Sequence, residues 1–259
     1  MSIGIIVGTG ADEMPEFLQG DSITVTTRFG NTGVIRGTLD ATPVTIIARH
    51  GSGHSVTPSR INYRAQIAAL KKLGTDRVVG ICAVGALTDH IPPGCLAILS
   101  DFIDVTKHRA DTFFDDPEGP VAHTDFTHPY CPELRRALVQ ACEDLQTQHL
   151  KEAVYVGAEG PRYETPAEIA LYQSWGGDVV GMTNIPEAVL AREAGLCYAA
   201  VAVVTNAAAG IGSSPVSHDE VRIAAFDARS AVVQVLRHAV SDMPSVRACT
   251  CGNNTMLRL

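Results

Sequence analysis

The sequence predicts a single α/β domain whose sheet is covered by helices on both faces. Short runs of β-branched and apolar residues alternate with helix-like segments along the 259 residues. These runs are apolar almost without interruption, which is typical of strands buried on both faces. Hydrophobic residues make up 46% of the chain and charged residues 19%, a balance that excludes a disordered or fibrous protein. We assign residues 1–242 to the domain and residues 243–259 to a C-terminal tail, since a chain of this length commonly forms one unit.

Five strands are predicted, and polar or glycine-rich turns follow the carboxyl ends of several of them. In open α/β sheets ligands bind at that edge, so these turns are the first candidates for a site. The strands cover residues 2–7, 44–48, 77–84, 95–103 and 198–205.

Helices are predicted where end signals flank a periodic segment. Thr165 and Glu168 form a capping box with a proline at the first helical position, and Ser217 opens a second capping box. Residues 107–131 lack periodicity and are predicted to form a long loop, a kind of segment that is often functional. The helices are predicted at residues 59–73, 166–175, 186–194 and 217–240.

Charge and cysteine usage limit the partners and the compartment. Twenty basic and 28 acidic residues give a net charge of −8 without any basic block, which excludes non-specific nucleic-acid binding. No apolar run reaches the roughly 18 residues of a membrane span, and the N-terminus is interpreted as a strand, not a signal peptide. The seven cysteines favour reduced thiols in a cytoplasmic protein. Cys249 and Cys251 form a C-x-C pair in the tail, and two cysteines alone make a poor zinc site.

The turn after the first strand is a candidate phosphate site. Thr9 offers a hydroxyl between Gly8 and Gly10, and the glycines let backbone N–H groups approach an anion. The dinucleotide fingerprint G-x-G-x-x-G fails because Glu13 takes the place of its third glycine. A plain strand-end turn is the alternative.

The turn after the second strand carries further anion donors. Arg49 can bind an anion through two N–H groups, and His50 can add another. His50 and His54 also have the i, i+4 spacing of a metal pair. That spacing serves a metal only on a helix, and the glycines between them argue against one. We therefore favour anion binding, with a solvated loop as the alternative.

Three more segments carry residues suited to a flat base. Tyr163 can stack on a base, and Glu164 can accept a hydrogen bond from its edge. Met182 can pad an apolar ligand face, and Thr183 can donate to an anion. Asn206 emerges from an apolar run, and its amide can bridge the N7 and O6 atoms of a 6-oxopurine. Simple packing, solvent exposure or turn formation is the local alternative for each residue.

Taken together, the ordered motifs resemble the purine nucleoside phosphorylase and methylthioadenosine phosphorylase family. The resemblance covers about residues 3–235 and is carried by the segments GTG, RHG, NYRAQIAALK, AVGAL, EGPRYETPAEI, GDVVGMTNIPEAVLAREAGLCYA and VTN. It implies the nucleoside phosphorylase fold, a central mixed sheet flanked by helices, assembled as a homotrimer or a dimer of trimers. It also implies phosphorolysis, in which nucleoside and phosphate give a free purine and ribose 1-phosphate. No metal or organic cofactor takes part, and inorganic phosphate is a substrate.

The family's site residues carry over position by position. The resemblance makes Asn206 the catalytic residue at the base, and His123 reaches the site of a neighbouring subunit. Cys82 departs from the Asn or Thr that relatives often have, and its thiol donates weakly, so the phosphate relies on the Ala83 backbone N–H. The phosphate ligands are Thr9, Arg49, His50, Cys82, Ala83 and Thr183. The nucleoside contacts are Tyr155, Tyr163, Glu164, Met182, Asn206, Ala207, Ala208, His218, His54 and His123.

Residues at three positions predict the choice of nucleoside. Adenosine-type relatives resemble T-D-x-D where this chain has Asn206 and Ala208 in place of both carboxylates. Glu164 matches the glutamate that accepts the N1–H of inosine and guanosine, where methylthioadenosine enzymes carry serine. His218 matches a histidine that binds the 5′-hydroxyl, where methylthio-specific members are apolar. The RHG and GPRYET motifs nevertheless resemble the methylthio branch, so methylthioinosine or methylthioadenosine is the alternative substrate.

Other classes of protein fit the residues less well. A nicotinamide-dependent oxidoreductase needs an acidic residue after the second strand, where Arg49 and His50 stand. A non-catalytic nucleoside sensor would tolerate loss of the phosphate donors, yet these are present. A hydrolase differs in turning over without phosphate.

Overall fold

A mixed sheet of nine strands runs through the protein in a computed structural model, which describes residues 2–9, 19–51, 53, 55–119, 121–212 and 215–253. All five predicted strands are present, and the predicted α/β class with a central mixed sheet is confirmed. The strands are β1 (Ile3–Val7), β2 (Asp21–Thr27), β3 (Gly30–Leu39), β4 (Thr42–Ala48), β5 (Arg77–Ala86), β6 (Leu96–Asp104), β7 (His149–Gly157), β8 (Val179–Gly181) and β9 (Cys197–Ala207).

The sheet branches at β5, which pairs with β1, β8 and β9. Strands β5, β8, β7, β6 and β9 form a closed ring, because β9 pairs with both β5 and β6. Strands β1, β4, β3 and β2 extend from the ring as an open arm. The sheet is therefore partly closed rather than the open sheet that the turn pattern suggested.

Helices cover both faces of this sheet, as the apolar strands predict. In β1, Ile3, Ile5 and Val7 pack on one side of the sheet with helices α2 (Pro132–Asp144) and α6 (Arg229–Ser241). Ile6 packs on the other side with α1 (Tyr63–Lys72) and α4 (Asn184–Glu193). None of the described helices is long and apolar enough to cross a membrane. The helices are α1 (Tyr63–Lys72), α2 (Pro132–Asp144), α3 (Pro166–Ser174), α4 (Asn184–Glu193), α5 (His218–Asp227) and α6 (Arg229–Ser241).

The two predicted capping boxes have different outcomes. At α3, the Thr165 side chain accepts from the Glu168 backbone N–H and the Glu168 side chain accepts from the Thr165 N–H, so this box is confirmed. At α5, Ser217 makes no side-chain cap bond, and that prediction is wrong. The single helix expected over residues 217–240 is also two helices. The Arg229 guanidinium donates to the Phe226 carbonyl at 2.7 Å, which satisfies a carbonyl at the end of α5 where the chain turns.

Two segments without clear periodicity in the sequence are nevertheless anchored to the rest of the protein. The loop predicted over residues 107–131 contains no helix or strand among its described residues, but it is anchored. Its Phe113 is 3% exposed and donates its backbone N–H to Glu193 at 2.7 Å. Residues 243–253 of the tail pack against the core through Met243 and the buried Cys251.

Candidate active site

The carboxyl ends of parallel strands meet at one edge of the sheet and shape a cavity. Strands β4, β1, β5 and β9 are successive parallel neighbours, so the residues that follow them come together. Strand β8 runs antiparallel to β5 and brings the turn after Gly181 to the same place. The cavity has a volume of about 340 Å³, within the usual range for a small-molecule site. The predicted site residues that line it are Thr9, Arg49, His50, Cys82, Ala83, Tyr163, Glu164, Met182, Thr183, Asn206, Ala208 and His218.

The structure does not bring every expected contact to the cavity. Tyr155 is 0% exposed and lies outside the lining, so its expected contact with the sugar is corrected to a supporting role. Ala207 also lies outside the lining, and its carbonyl accepts a hydrogen bond from the Asn206 side chain at 2.8 Å. His123 is exposed on the long loop, away from the cavity of its own chain. His54 lies outside the described residues.

A buried ion pair holds the cation of the cavity. The Arg49 Nε and Nη2 atoms donate to the Glu187 carboxylate at 2.6 and 2.9 Å, and the two side chains are 0% and 1% exposed. Arg49 Nη1 also donates to the Ile81 carbonyl at 2.8 Å. Burial alone would lower the pKa of Arg49, but the Glu187 charge and hydrogen bonds raise it. Glu187 therefore accepts from the paired donors Nε and Nη2, and Nη1, which donates to Ile81, has a second N–H.

Two neighbours of Arg49 shape this corner of the cavity. At Gly8, an added Cβ would lie 2.4 Å from Arg49 Nη1, so only glycine lets the first turn pass over the fixed guanidinium. His50 Nδ1 lies 2.8 Å from the Val56 carbonyl, which can only accept, so Nδ1 carries the proton.

The turn after β8 is built on the Tyr155 hydroxyl. That oxygen accepts from the backbone N–H groups of Thr183 and Asn184 at 3.0 and 3.2 Å. The Thr183 side chain makes no cap bond to α4, although Thr183 occupies the N-cap position. Its hydroxyl is thus not used by the helix and lines the cavity. Cys82, across the cavity wall, has a pKa raised to about 12 because burial outweighs the nearby Arg49, so it remains a thiol.

Arg109, from the long loop, ties this turn to the segment that carries the predicted base contacts. Its guanidinium donates to the Met182 carbonyl at 2.7 Å and to the Glu159 carbonyl at 2.7 Å. It also donates to the Ile185 carbonyl at 2.6 Å, and its side chain is only 2% exposed. Neither Arg109 nor Glu187 stood out in the sequence as a site residue. An arginine in a loop without periodicity and a glutamate in the first turn of a largely apolar helix were the available signals.

The residues expected at the base lie on two walls of the cavity. Burial raises the pKa of Glu164 above that of an ordinary glutamate. A β-bulge lies between Val84 and Gly85 of β5, where Val84 faces Val204 but Gly85 faces Asn206. Bulges redirect side chains, and Asn206 lines the cavity directly after this one. The Asn206 Nδ2 donates to the Ala207 carbonyl at 2.8 Å, and a carbonyl can only accept, so this bond fixes which end of the amide donates.

The remaining wall is formed by α5 and the segment before it. His218 is the first residue of this helix and lines the cavity together with Val216 and Val221. A polar ring and two apolar side chains thus share one end of the cavity. The arrangement as a whole offers cationic and hydroxyl donors at one end, and an aromatic ring, a carboxylate and an amide at the other.

Comparison with known proteins defines the class to which this fold and cavity belong. Residues 2–241 match the family described as the phosphorylase superfamily. The chain belongs to the phosphorylase superfamily, and the resemblance to purine nucleoside and methylthioadenosine phosphorylases is confirmed.

The relatives include enzymes named for 6-oxopurine nucleosides and enzymes named for methylthio nucleosides. A probable 6-oxopurine nucleoside phosphorylase of Dictyoglomus turgidum is 45% identical over 98% of this chain and 96% of its own length. The 6-oxopurine nucleoside phosphorylase of Pyrococcus furiosus is 43% identical over 96% of each chain. A probable S-methyl-5′-thioinosine phosphorylase of Methanopyrus kandleri is also 43% identical over 96% of each. The methylthioadenosine phosphorylase of Schistosoma mansoni in complex with adenine superposes with a TM-score of 0.88 at 32% identity, covering 93% of this chain and 91% of that one.

Proposed function

We propose that the protein is a 6-oxopurine nucleoside phosphorylase, which cleaves inosine or guanosine with phosphate to the purine base and ribose 1-phosphate. One arrangement carries the proposal: the Glu164 carboxylate and the Asn206 amide line the same cavity as the Arg49 cation. Relatives with the same named activity over almost the whole chain support it.

The base preference follows from hydrogen-bond complementarity. A 6-oxopurine presents an N1–H donor to Glu164, and its N7 and O6 acceptors suit a donating amide at Asn206. Adenine has no N1–H, so binding it would cover the half-buried Glu164 carboxylate and leave it unpaired. That penalty amounts to several kcal/mol, which corresponds to discrimination of about 10³-fold.

The proposed mechanism places donors where charge develops. Breaking the bond between C1′ and the purine leaves positive charge on the ribose and sends the bonding electron pair to the purine. Phosphate, held by Arg49, His50 and Thr183, stabilises the ribose charge and then bonds to C1′. The Asn206 amide donates at N7 and stabilises the departing purine. A donor fixed at such a position typically lowers the activation free energy by about 3–4 kcal/mol.

S-methyl-5′-thioinosine is the second candidate substrate, and it shares the base. Val216 and Val221 lie beside His218 and offer an apolar surface that would suit a methylthio group. The relative from Methanopyrus kandleri bears that activity in its name. His218 favours the ordinary 5′-hydroxyl, because its ring can hydrogen-bond an alcohol and gains nothing from a thioether.

Initial rates with and without phosphate on inosine, adenosine, methylthioadenosine and methylthioinosine test the proposal. We expect phosphate-dependent cleavage of inosine to be fastest. Methylthioinosine in first place would keep the base assignment and remove the role of His218. An adenine nucleoside in first place would overturn the base assignment, and turnover without phosphate would indicate a hydrolase.

A triple variant tests the specificity residues directly. Asn206→Asp, Glu164→Ser and Ala208→Asp together restore the pattern of the adenosine-type relatives, and we expect preference to move toward adenine nucleosides. Unchanged base preference in a folded triple variant would contradict the assignment.

The oligomer and the compartment belong to the same proposal. We infer a cytoplasmic homotrimer in which His123, exposed on the long loop, completes the site of a neighbouring subunit. Light scattering measures the oligomer, and His123→Ala should lower activity without changing the fold. A fully active monomer would refute this arrangement.

A further inference from the structure

Four cysteines that take no part in the cavity lie together at the opposite end of β9. The Sγ atoms of Cys131, Cys197, Cys249 and Cys251, which we term the cysteine cluster, all lie within 4.8 Å of one another. Three of these residues are at most 2% exposed, and Cys249 is half-buried. Cys197 begins β9 and Asn206 stands nine residues further on, so about 30 Å separates the cluster from the catalytic end of the strand.

The cluster joins segments that are far apart in the sequence. Cys131 is the N-cap residue of α2, Cys197 starts β9, and the C-x-C pair belongs to the C-terminal segment. Sequence alone offered only that pair, which makes a poor metal site. The tertiary structure adds two more thiols to it.

The spacing of the four sulfur atoms suits a common metal ion. Four sulfur ligands at about 2.3 Å from a tetrahedral Zn²⁺ lie about 3.8 Å from each other, so the sulfur–sulfur distances of the cluster need to change by about 1 Å or less. The Cys197 and Cys249 Sγ atoms are already 3.2 Å apart, well beyond the about 2.05 Å of a disulfide, and all seven cysteines are free thiols. Four soft thiolates in such a set select zinc over hard cations such as magnesium.

A cation lies beside the cluster on the side of Cys197. Arg247 Nη1 is 3.8 Å from the Cys197 Sγ and also donates to the Gly195 carbonyl at 3.3 Å. An N–H donor to a metal-bound sulfur orients the ligand and offsets the negative charge of a tetrathiolate centre. Two further contacts hold the same segment: the Ala248 N–H donates to Glu133 at 2.7 Å, and Arg77 donates to the Pro244 carbonyl at 2.8 Å.

We propose that the cysteine cluster is a structural zinc site, in which four thiolates bind one Zn²⁺ ion and fasten the C-terminal segment to the core. Binding displaces the thiol protons to solvent and changes no oxidation state. The ion takes no part in phosphorolysis, because it sits at the far end of β9 from Asn206.

Metal analysis of the full-length protein tests the site. The protein is purified without a histidine tag, reduced under argon, incubated with Zn²⁺ and freed of loosely bound metal. Zinc and iron are then measured by mass spectrometry. We expect about one zinc per chain, and loss of that zinc in Cys249→Ala and Cys251→Ala. Cys95→Ala is the matched control, since Cys95 is 3% exposed, lies outside the cluster and should leave the zinc in place.

Two further readouts separate a metal site from simple packing. Cobalt-loaded protein should show the visible absorption of tetrahedral thiolate cobalt, and Cys251→Ala should lose it. Removing zinc should lower the Tm of the parent protein but not that of Cys251→Ala, while inosine cleavage below the melting range stays unchanged. Absence of zinc from the reduced, zinc-treated protein would overturn the proposal. Iron bound in place of zinc would also overturn the proposal. So would the formation of two disulfides by the four cluster thiols without any binding of zinc.

Discussion

Removing the charge of Glu187 should strongly destabilise the protein, because its carboxylate is the counter-ion of the buried Arg49. Glu187→Gln keeps the shape of the side chain but sets an amide NH₂ against one of the two Arg49 donors, now at 2.6 and 2.9 Å. Arg49 and Glu187 are 0% and 1% exposed, so water cannot compensate the arginine. Breaking such a buried pair costs about 3–5 kcal/mol. For a domain of this size that loss lowers Tm by on the order of 10 °C.

A second glutamate on α4 provides the control. Glu193 is 7% exposed and accepts from the Thr112 hydroxyl at 2.8 Å and from the Phe113 N–H at 2.7 Å, both uncharged donors. Glu193→Gln keeps one of these bonds and should cost only about 1–2 kcal/mol. Differential scanning calorimetry of both variants measures the difference.

Phosphate should then stabilise the two variants differently. In Glu187→Gln the Arg49 charge lacks its counter-ion, and a bound phosphate dianion supplies one, so phosphate should raise this Tm more than it raises the parent's. Equal Tm losses in Glu187→Gln and Glu193→Gln would refute the energetic role of the ion pair. Equal phosphate shifts in all three proteins would show that Arg49 does not face the phosphate.

Three further predictions concern the nucleoside. Asn206→Ala should lower kcat on inosine by about 10²-fold or more, because it removes the donor at N7. The KM for inosine should rise as the pH falls, because the protonated form of Glu164 no longer accepts the N1–H. Burial raises the pKa of Glu164, so this rise in KM should begin at a higher pH than it would for an exposed glutamate. His218→Val should raise the ratio of methylthioinosine to inosine activity, because it replaces a hydrogen-bonding ring with an apolar side chain.

Steady-state kinetics with exposed-residue controls decide these three cases. Asn31→Ala and His90→Val alter residues outside the cavity lining and should leave both kcat and the substrate ratio unchanged. Glu164→Gln should flatten the acid limb of the KM profile. A kcat for Asn206→Ala within a few-fold of the parent, a KM independent of pH, or an unchanged substrate ratio would each remove the corresponding residue from its role.

The strands buried on both faces were predictable, whereas the edge of the sheet was not. Strand β1 is apolar throughout and β9 is apolar as far as Val204, so both stand out in the sequence. The hairpin of β2 and β3 exposes one face, so its alternating polar residues gave no continuous apolar run. Helix α2 was missed although Pro132 at its first position and Glu133 in its first turn are start signals.

The sequence by itself determined the fold class, the strand-end turns and most of the polar residues that line the cavity, because local patterns and ordered motifs record them. Only the tertiary structure decided how those residues are held. Glu187 meets Arg49 from 138 positions away, and the C-x-C pair meets Cys131 and Cys197 from elsewhere in the fold. Tyr155 turned out to support the phosphate-side turn from beneath it. Such pairings depend on which strands become neighbours. Because the strand order is a property of the whole sheet, no short stretch of sequence can predict these contacts.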